Sequence, residues 1–408
     1  MRSLNLLLLL AALGSPSTMR GLVLQNWIGT WAASQQIPEA ANALPSADLT
    51  DSTLRETVHV SCGGTMIRVH LSNAFGTQAL HLTSVHIARP VASGSSAIDP
   101  ASDHQLLFNG RPGVIISPGA EYVSDPMAYS LAALSDLTIS MHIEAEPGQQ
   151  TGHPGSRQTT FYAHGDHTSA TDMPDPKTIE HWYVLSGVDV QGSSHAYSIV
   201  ALGDSITDGH GTTTNGNDRW TDVLAQRLQS HQATRDVGIL NQGLGGNYLL
   251  TDGLGPNALA RFDRDVLAQA GVRYLIVLEG INDLGGLGRS SNATPAMHDE
   301  LVHRMLGAYQ QIVTRAHAHG IKVYGATVMA DGGSGYYHPD AASEHDREQV
   351  NAWIRKPGHF DALMDLDKVT ADPSNPGQLL PAYDSGDHLH PGPTGYRAMG
   401  EAIPLSPF

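Results

Sequence analysis

Four short stretches of this chain carry side chains able to do chemistry together. They are "GDSITDG" around Ser205, "NQGLGGN" from Asn241 to Asn247, "GIND" with Asn282 and Asp283, and "DHLHP" with Asp387 and His390. Each set answers a need of acyl transfer. A serine hydroxyl is a weak nucleophile at neutral pH and requires a base within hydrogen-bond reach. His390 is the candidate base, because an imidazole titrates near neutrality. Asp387, three residues earlier, can reach it across a short turn and hold it in the correct tautomer. The oxyanion of a tetrahedral intermediate needs fixed donors, commonly backbone N–H groups and a carboxamide. The N–H groups of Ser205 and Gly246 and the side chain of Asn282 are candidates for that task.

Such groups must be positioned by a scaffold, and the hydrophobic period shows which. After about His195, short apolar runs alternate with amphipathic ones. "YSIVAL", "VGILNQ", "YLIVLEG", "IKVYGATVM" and "FDALMDL" read as strands. "RWTDVLAQRL", "ALARFDRDVLAQA", "DELVHRMLGAYQQIVTRAHAHG", "SEHDREQVNAWI" and "PTGYRAMGEAI" read as helices. Alternating β and α predicts a mostly parallel sheet covered on both faces, with the reactive stretches in loops at the carboxyl ends of the strands. "EGINDLGG" is read as one of those loops.

From Trp27 to Val190 the pattern is different. "LTISMHIE" alternates strictly, with Leu137, Ile139, Met141 and Ile143 on one face. "MIRVHLSN" and "LHLTSVHIA" behave similarly, and Gly, Pro and Ser clusters separate the runs. This predicts a β-sandwich-like N-terminal domain at 25–192, followed by an α/β domain at 195–408.

The four stretches, in this order, resemble the blocks of the SGNH hydrolases, also called GDSL esterases and lipases. The letters of that family name fall on Ser205, Gly246, Asn282 and His390, and the family's D-x-x-H motif falls on Asp387 and His390. Gly246 is preferred because the family's donor glycine usually lies five residues after an asparagine, here Asn241; Gly245 is the alternative. Ile206 stands where the family usually has leucine. The resemblance covers roughly 197–405. It further resembles the carbohydrate-esterase-related branch similar to acetyl xylan esterases, on "TTNGNDRW", "NQGLGGN", "GPNALARFDRDVL" and "HWYVLSGVDV". It implies a three-layer α/β/α, flavodoxin-like hydrolase domain, no metal and no organic cofactor, and hydrolysis of short-chain esters, O-acetyl groups on polysaccharides above all. A lipid or aryl esterase on the same site is the alternative. A carbohydrate-binding protein with a vestigial site is a second one, for which Trp27, Trp31 and Trp182 would supply stacking surfaces if they are not core.

The net charge of −17 argues against nucleic acid or an anionic membrane as partner. Arg2 followed by the apolar run Leu4–Leu13 reads as a signal peptide over 1–14, too short to span a bilayer, and predicts a secreted or periplasmic protein without stable membrane insertion. Cys62 is the only cysteine, which excludes an internal disulfide, and its setting suggests a small buried hydrophobe. "HGDH" (164–167) lacks a third spaced metal ligand and reads as a polar loop. His388 competes with His390 as base by proximity only. Asp204 and Asp283 are candidate hydrogen-bond acceptors that fix their loops, and Asp208 and Asn247 are either substrate contacts or loop structure. "NAT" at Asn292 is a glycosylation sequon.

Overall fold

The computed structural model describes residues 26–290 and 292–408. The apolar run read as a signal peptide lies outside the described residues.

In the N-terminal half the longer strands are β1 (Trp27–Ala32), β2 (Ser52–Val60), β3 (Gly64–Ser72), β4 (Leu80–Ala88), β5 (Ser135–Ala145), β6 (Thr160–His164) and β7 (Leu185–Gln191). They form two antiparallel sheets. One runs β1-β7-β3 and continues into Glu121–Val123; the other contains β6-β2-β5-β4. Leu137, Ile139, Met141 and Ile143 of β5 are fully buried and share one apolar cluster with Ile67 and Val69 of β3 and Val188 and Val190 of β7. The other face of β5 is also covered. Arg55 reaches across it to Ser140 Oγ at 2.9 Å and to the carbonyls of Ser96, His167 and Ala170. The "HGDH" stretch therefore belongs to a loop tied down by this buried arginine. Trp31 and Trp182 meet edge to face at 4.9 Å and are both buried, so neither offers a stacking surface. Cys62 is buried as well, and burial pushes its thiol up to about 11.

The C-terminal half contains β8 (Tyr197–Gly203), α1 (Ser205–Asp208), α2 (Trp220–Ser230), β9 (Val237–Gly243), β10 (Val272–Leu278), α3 (Ile281–Gly288), α4 (Pro295–Ala318), β11 (Lys322–Ala326), α5 (Ala341–Arg355), β12 (Ala362–Met364) and α6 (Pro393–Ala402). The strand order is β9-β8-β10-β11-β12 and each pairing is parallel. In sequence order this is 2-1-3-4-5, the flavodoxin-like winding, whose switch point opens a crevice at the carboxyl ends of β8 and β10. The strands are continuous apolar runs because both faces are covered. No helix among the described residues is long and apolar enough to cross a membrane.

Two elements differ from expectation. "EGINDLGG" is not a loop: α3 begins at Ile281, so Asn282 and Asp283 stand in its first turn. Its glycines hid it, yet Gly285 is required there, because a Cβ would sit 2.3 Å from the Tyr337 ring. The long helix starts at Pro295, earlier than its apolar period, with Thr294 as N-cap.

The two halves are joined along β9, an edge strand that would otherwise expose its backbone. Ile239 N–H donates to Ser61 Oγ at 2.9 Å, and Gly29 N–H donates to the Ala270 carbonyl at 3.1 Å. Gly238 has no room for a side chain, because a Cβ would lie 2.0 Å from Gly29 O.

Candidate active site

Ser205 is the first residue of α1, immediately after β8. Asp204 caps the helix, its Oδ1 accepting the Ile206 N–H at 2.9 Å. Gly203 permits the tight exit, since a Cβ would stand 2.4 Å from the Leu278 carbonyl. Asp204 is buried, and burial pushes its carboxyl up to about 7, with Asp283 and Asp208 adding to the shift and the Ile206 N–H and Arg261 opposing it.

The loop before α6 brings two more groups to this serine. Asp387 Oδ1 accepts the N–H groups of His390 (2.8 Å) and Leu389 (3.0 Å), which closes the D-x-x-H turn. Its Oδ2 lies 2.6 Å from His390 Nδ1, and His390 Nε2 lies 2.8 Å from Ser205 Oγ. Burial works against the Asp387 charge, but the His390 ring and the two N–H donors outweigh it and hold the carboxyl well below the usual range. His388 is engaged elsewhere. Its Nδ1 contacts Asp384 Oδ2 at 2.5 Å, and the ring is largely exposed.

The oxyanion candidates converge on the same cleft. Ser205 N–H has no partner within α1, being at its first position. Among the described residues, the N–H groups of Gly245 and Gly246 also lack hydrogen-bond acceptors. Gly246 adopts φ +62°, a left-handed conformation that favours glycine. Asn282 Nδ2 donates one hydrogen to Asn247 O at 2.6 Å, which leaves its second for the cleft, and its Oδ1 accepts from the Tyr337 hydroxyl. Asp283 accepts the N–H groups of Leu249 (2.7 Å) and Leu250 (3.0 Å) and so fixes the chain beyond Gly246. Burial pushes Asp283 up to about 6 despite these donors.

Sequence reasoning missed three supports. Arg261 is fully buried and links both reactive loops, donating to Gly203 O (2.8 Å), Gln242 O (2.8 Å) and Asn247 Oδ1 (2.9 Å). Tyr337 sets the orientation of the Asn282 amide. His210 lies with its ring 4.1 Å from that of His390, and its Nδ1 accepts from Arg157. Burial, with the adjacent His390 and Arg157, brings His210 down to about 4. None of the three had a visible signal: on a regular helix Arg261 falls opposite Leu259, Val266 and Leu267 of "ALARFDRDVL". His210, Asp387 and His390 hold ligand atoms within 4.8 Å of one another, a grouping compatible with a metal ion, but two of the three residues are already joined to Ser205 as a relay.

These residues line a cleft of about 610 Å³. The C-terminal half contributes Tyr248, Leu254, Tyr336 and Tyr337, and the N-terminal half contributes Gln36, Glu39, Asn42, Pro154, Gly155 and Arg157. The arrangement can activate a hydroxyl, stabilise an adjacent oxyanion and protonate a leaving group.

Residues 201–398 match the model of the GDSL-like lipase/acylhydrolase family. No curated protein matches the chain. Among solved structures, it is similar to a GDSL-like lipase from Bacteroides thetaiotaomicron (19% identity, covering 50% of this chain and 85% of that one, TM-score 0.37). It is also similar to an acetylxylan esterase from Geobacillus stearothermophilus (18% identity, covering 52% and 93%, TM-score 0.38).

Proposed function

With residues 201–398 a GDSL-like lipase/acylhydrolase domain, and the protein thus a carboxylic ester hydrolase, we propose that Ser205 is its nucleophile, His390 its general base and acid, and Asp387 the group that orients His390. The observation that carries this reading is the unbroken relay of 2.6 Å and 2.8 Å from Asp387 through His390 to Ser205. Ser205 Oγ attacks the ester carbonyl as His390 Nε2 takes its proton. The oxyanion is held by the N–H groups of Ser205 and Gly246 and the free N–H of Asn282. His390 returns the proton to the departing alcohol, leaving an acyl group on Ser205. Water, activated by the same imidazole, then releases the acid and restores the serine. Asp387 stays ionised throughout and balances the imidazolium.

The proposed substrate is a short-chain ester, with acetyl as the acyl group and a polysaccharide as the alcohol. A cleft that combines Tyr248, Tyr336 and Tyr337 with Glu39, Asn42 and Arg157 supports this, since sugars pair aromatic faces with hydroxyl-binding side chains. The N-terminal half is read as a β-sandwich-like domain that supplies one wall of the cleft. Export to a secreted or periplasmic location is part of the proposal and rests on the leader sequence. The test is acetate release from acetylated xylan, acetylated pectin and aryl esters of increasing acyl length. Acetate from the polysaccharides, lost in Ser205→Ala, is the expected result. A preference for long acyl chains with no acetate release from either polysaccharide would replace the proposed substrate with a lipid.

A further inference from the structure

Asp208 ends the helical turn that Ser205 begins, so the two side chains lie on neighbouring positions of one face. Asp208 is 4% exposed. Its Oδ1 is taken by His153 Nε2 at 2.9 Å. His153 is in turn fixed by the N-terminal half, its Nδ1 lying 2.8 Å from the Ser34 carbonyl. Oδ2 is different. Among the described residues it has no hydrogen-bond donor, yet it is not one of the buried atoms sealed from solvent. It lies between Gly155 of the N-terminal half and Gly245 of the oxyanion loop. A Cβ at 155 would come within 1.8 Å of it, and one at 245 within 3.7 Å. Asp208, Gly155 and Gly245 all line the cleft that holds Ser205. A side chain at 155 would displace the carboxylate, so the absence of one there keeps Oδ2 in place and open to the cleft.

An acceptor this deeply placed, open to the cleft and without a donor from the described residues, is free for a donor on the substrate. We propose that Asp208 Oδ2 accepts a free hydroxyl on the alcohol half of the ester, close to the scissile bond, and that the N-terminal half presents it through His153. The proposal rests on the reading of Ser205 as nucleophile. Because the acyl group in that reading is acetyl, which has no hydroxyl, the donor belongs to the alcohol. A hydroxyl is favoured over an ammonium group because the alcohol half of the proposed substrate is a sugar, whose free donors are hydroxyls. Asp208 thereby becomes a specificity-determining residue, and the substrate class is the partial ester of a polyol.

The test compares acetate release by the full chain from 2-hydroxyethyl and 3-hydroxypropyl acetate with release from their methyl ethers, 2-methoxyethyl and 3-methoxypropyl acetate. A hydrogen bond to a charged acceptor predicts that at least one hydroxyl ester exceeds its ether by about ten- to a hundredfold in kcat/KM. In Asp208→Asn that ratio falls to about its square root, because a neutral acceptor makes a bond about half as strong. The substrate comparison in the unaltered protein decides the matter even if the variant does not fold. Equal turnover of ester and ether in both pairs, or turnover of neither while 4-nitrophenyl acetate is hydrolysed, overturns the proposal. So does a ratio undiminished in Asp208→Asn. Hydrolysis that persists in Ser205→Ala would instead overturn the reading of the nucleophile.

Discussion

Replacing Arg261 by methionine tests whether one buried guanidinium holds the reactive loops in register. Arg261 donates to Ser34 Oγ, Gln242 O and Asp265 Oδ2 from Nη1, to Gly203 O from Nη2, and to Asn247 Oδ1 from Nε, all between 2.8 and 2.9 Å. Summing five charge-assisted bonds at about 2 kcal/mol each would give about 10 kcal/mol. That overstates the loss, because several acceptors keep another donor. Asp265 retains Arg264 at 2.7 Å, and Gly203 O retains the Leu244 N–H at 3.0 Å. The cost of removing one partner from a buried ion pair, about 3–5 kcal/mol, is the better measure. For a domain of this size that lowers the melting temperature by roughly 6–20 °C. Calorimetry on Arg261→Met and on Arg397→Met checks it, since Arg397 faces an exposed Glu401 at 3.9 Å and is worth under about 1 kcal/mol. Below its melting temperature Arg261→Met should also lose at least about tenfold in kcat, because Gly203 and Asn247 adjoin Ser205 and the proposed oxyanion loop. A melting temperature within 2 °C of the wild type would refute the reasoning.

Asn282→Ala should lower kcat by roughly 10²–10³ with a smaller change in KM, as steady-state kinetics would show; an unchanged kcat would leave Asn282 a structural residue only. Asp387→Asn should lower kcat by roughly 10²–10⁴, whereas His388→Ala, whose ring pairs with Asp384, should leave it within about twofold. If His388→Ala abolished turnover and His390→Ala did not, the base would be misassigned. Asp204 also gives stability a pH dependence. Its folded carboxyl is raised by burial to about 7, above an unfolded value near 4, so its contribution is fully present below about pH 4 and is lost as pH rises through about 7. Asp204→Asn keeps the capping oxygen and should lose less melting temperature than the wild type between pH 5 and pH 8; parallel curves would contradict this.

Much of this arrangement was legible because its signals are local. Strand runs such as "YSIVAL" announce themselves by composition, and the D-x-x-H turn closes on itself through the Asp387 carboxylate. The residues that escaped act through contacts distant in the chain. Tyr337 is 55 residues from the Asn282 amide it orients, and His153 is 55 residues from Asp208. Helix α3 escaped for another reason: a glycine that ordinarily weakens a helix is retained at 285 because an aromatic ring occupies the space of its side chain. The contribution of the N-terminal half to the cleft carries no motif, since Gln36, Asn42 and Arg157 acquire their role only when the two halves pack.

The central claim is that Ser205 carries the acyl group. Mass spectrometry of the protein after a fluorophosphonate probe, and after rapid acid quench during turnover of 4-nitrophenyl acetate, tests it most directly. One phosphonyl adduct and a transient acetyl adduct are expected on the peptide containing Ser205, both absent in Ser205→Ala. Labelling or acetylation at another residue, or undiminished turnover in that variant, would contradict it.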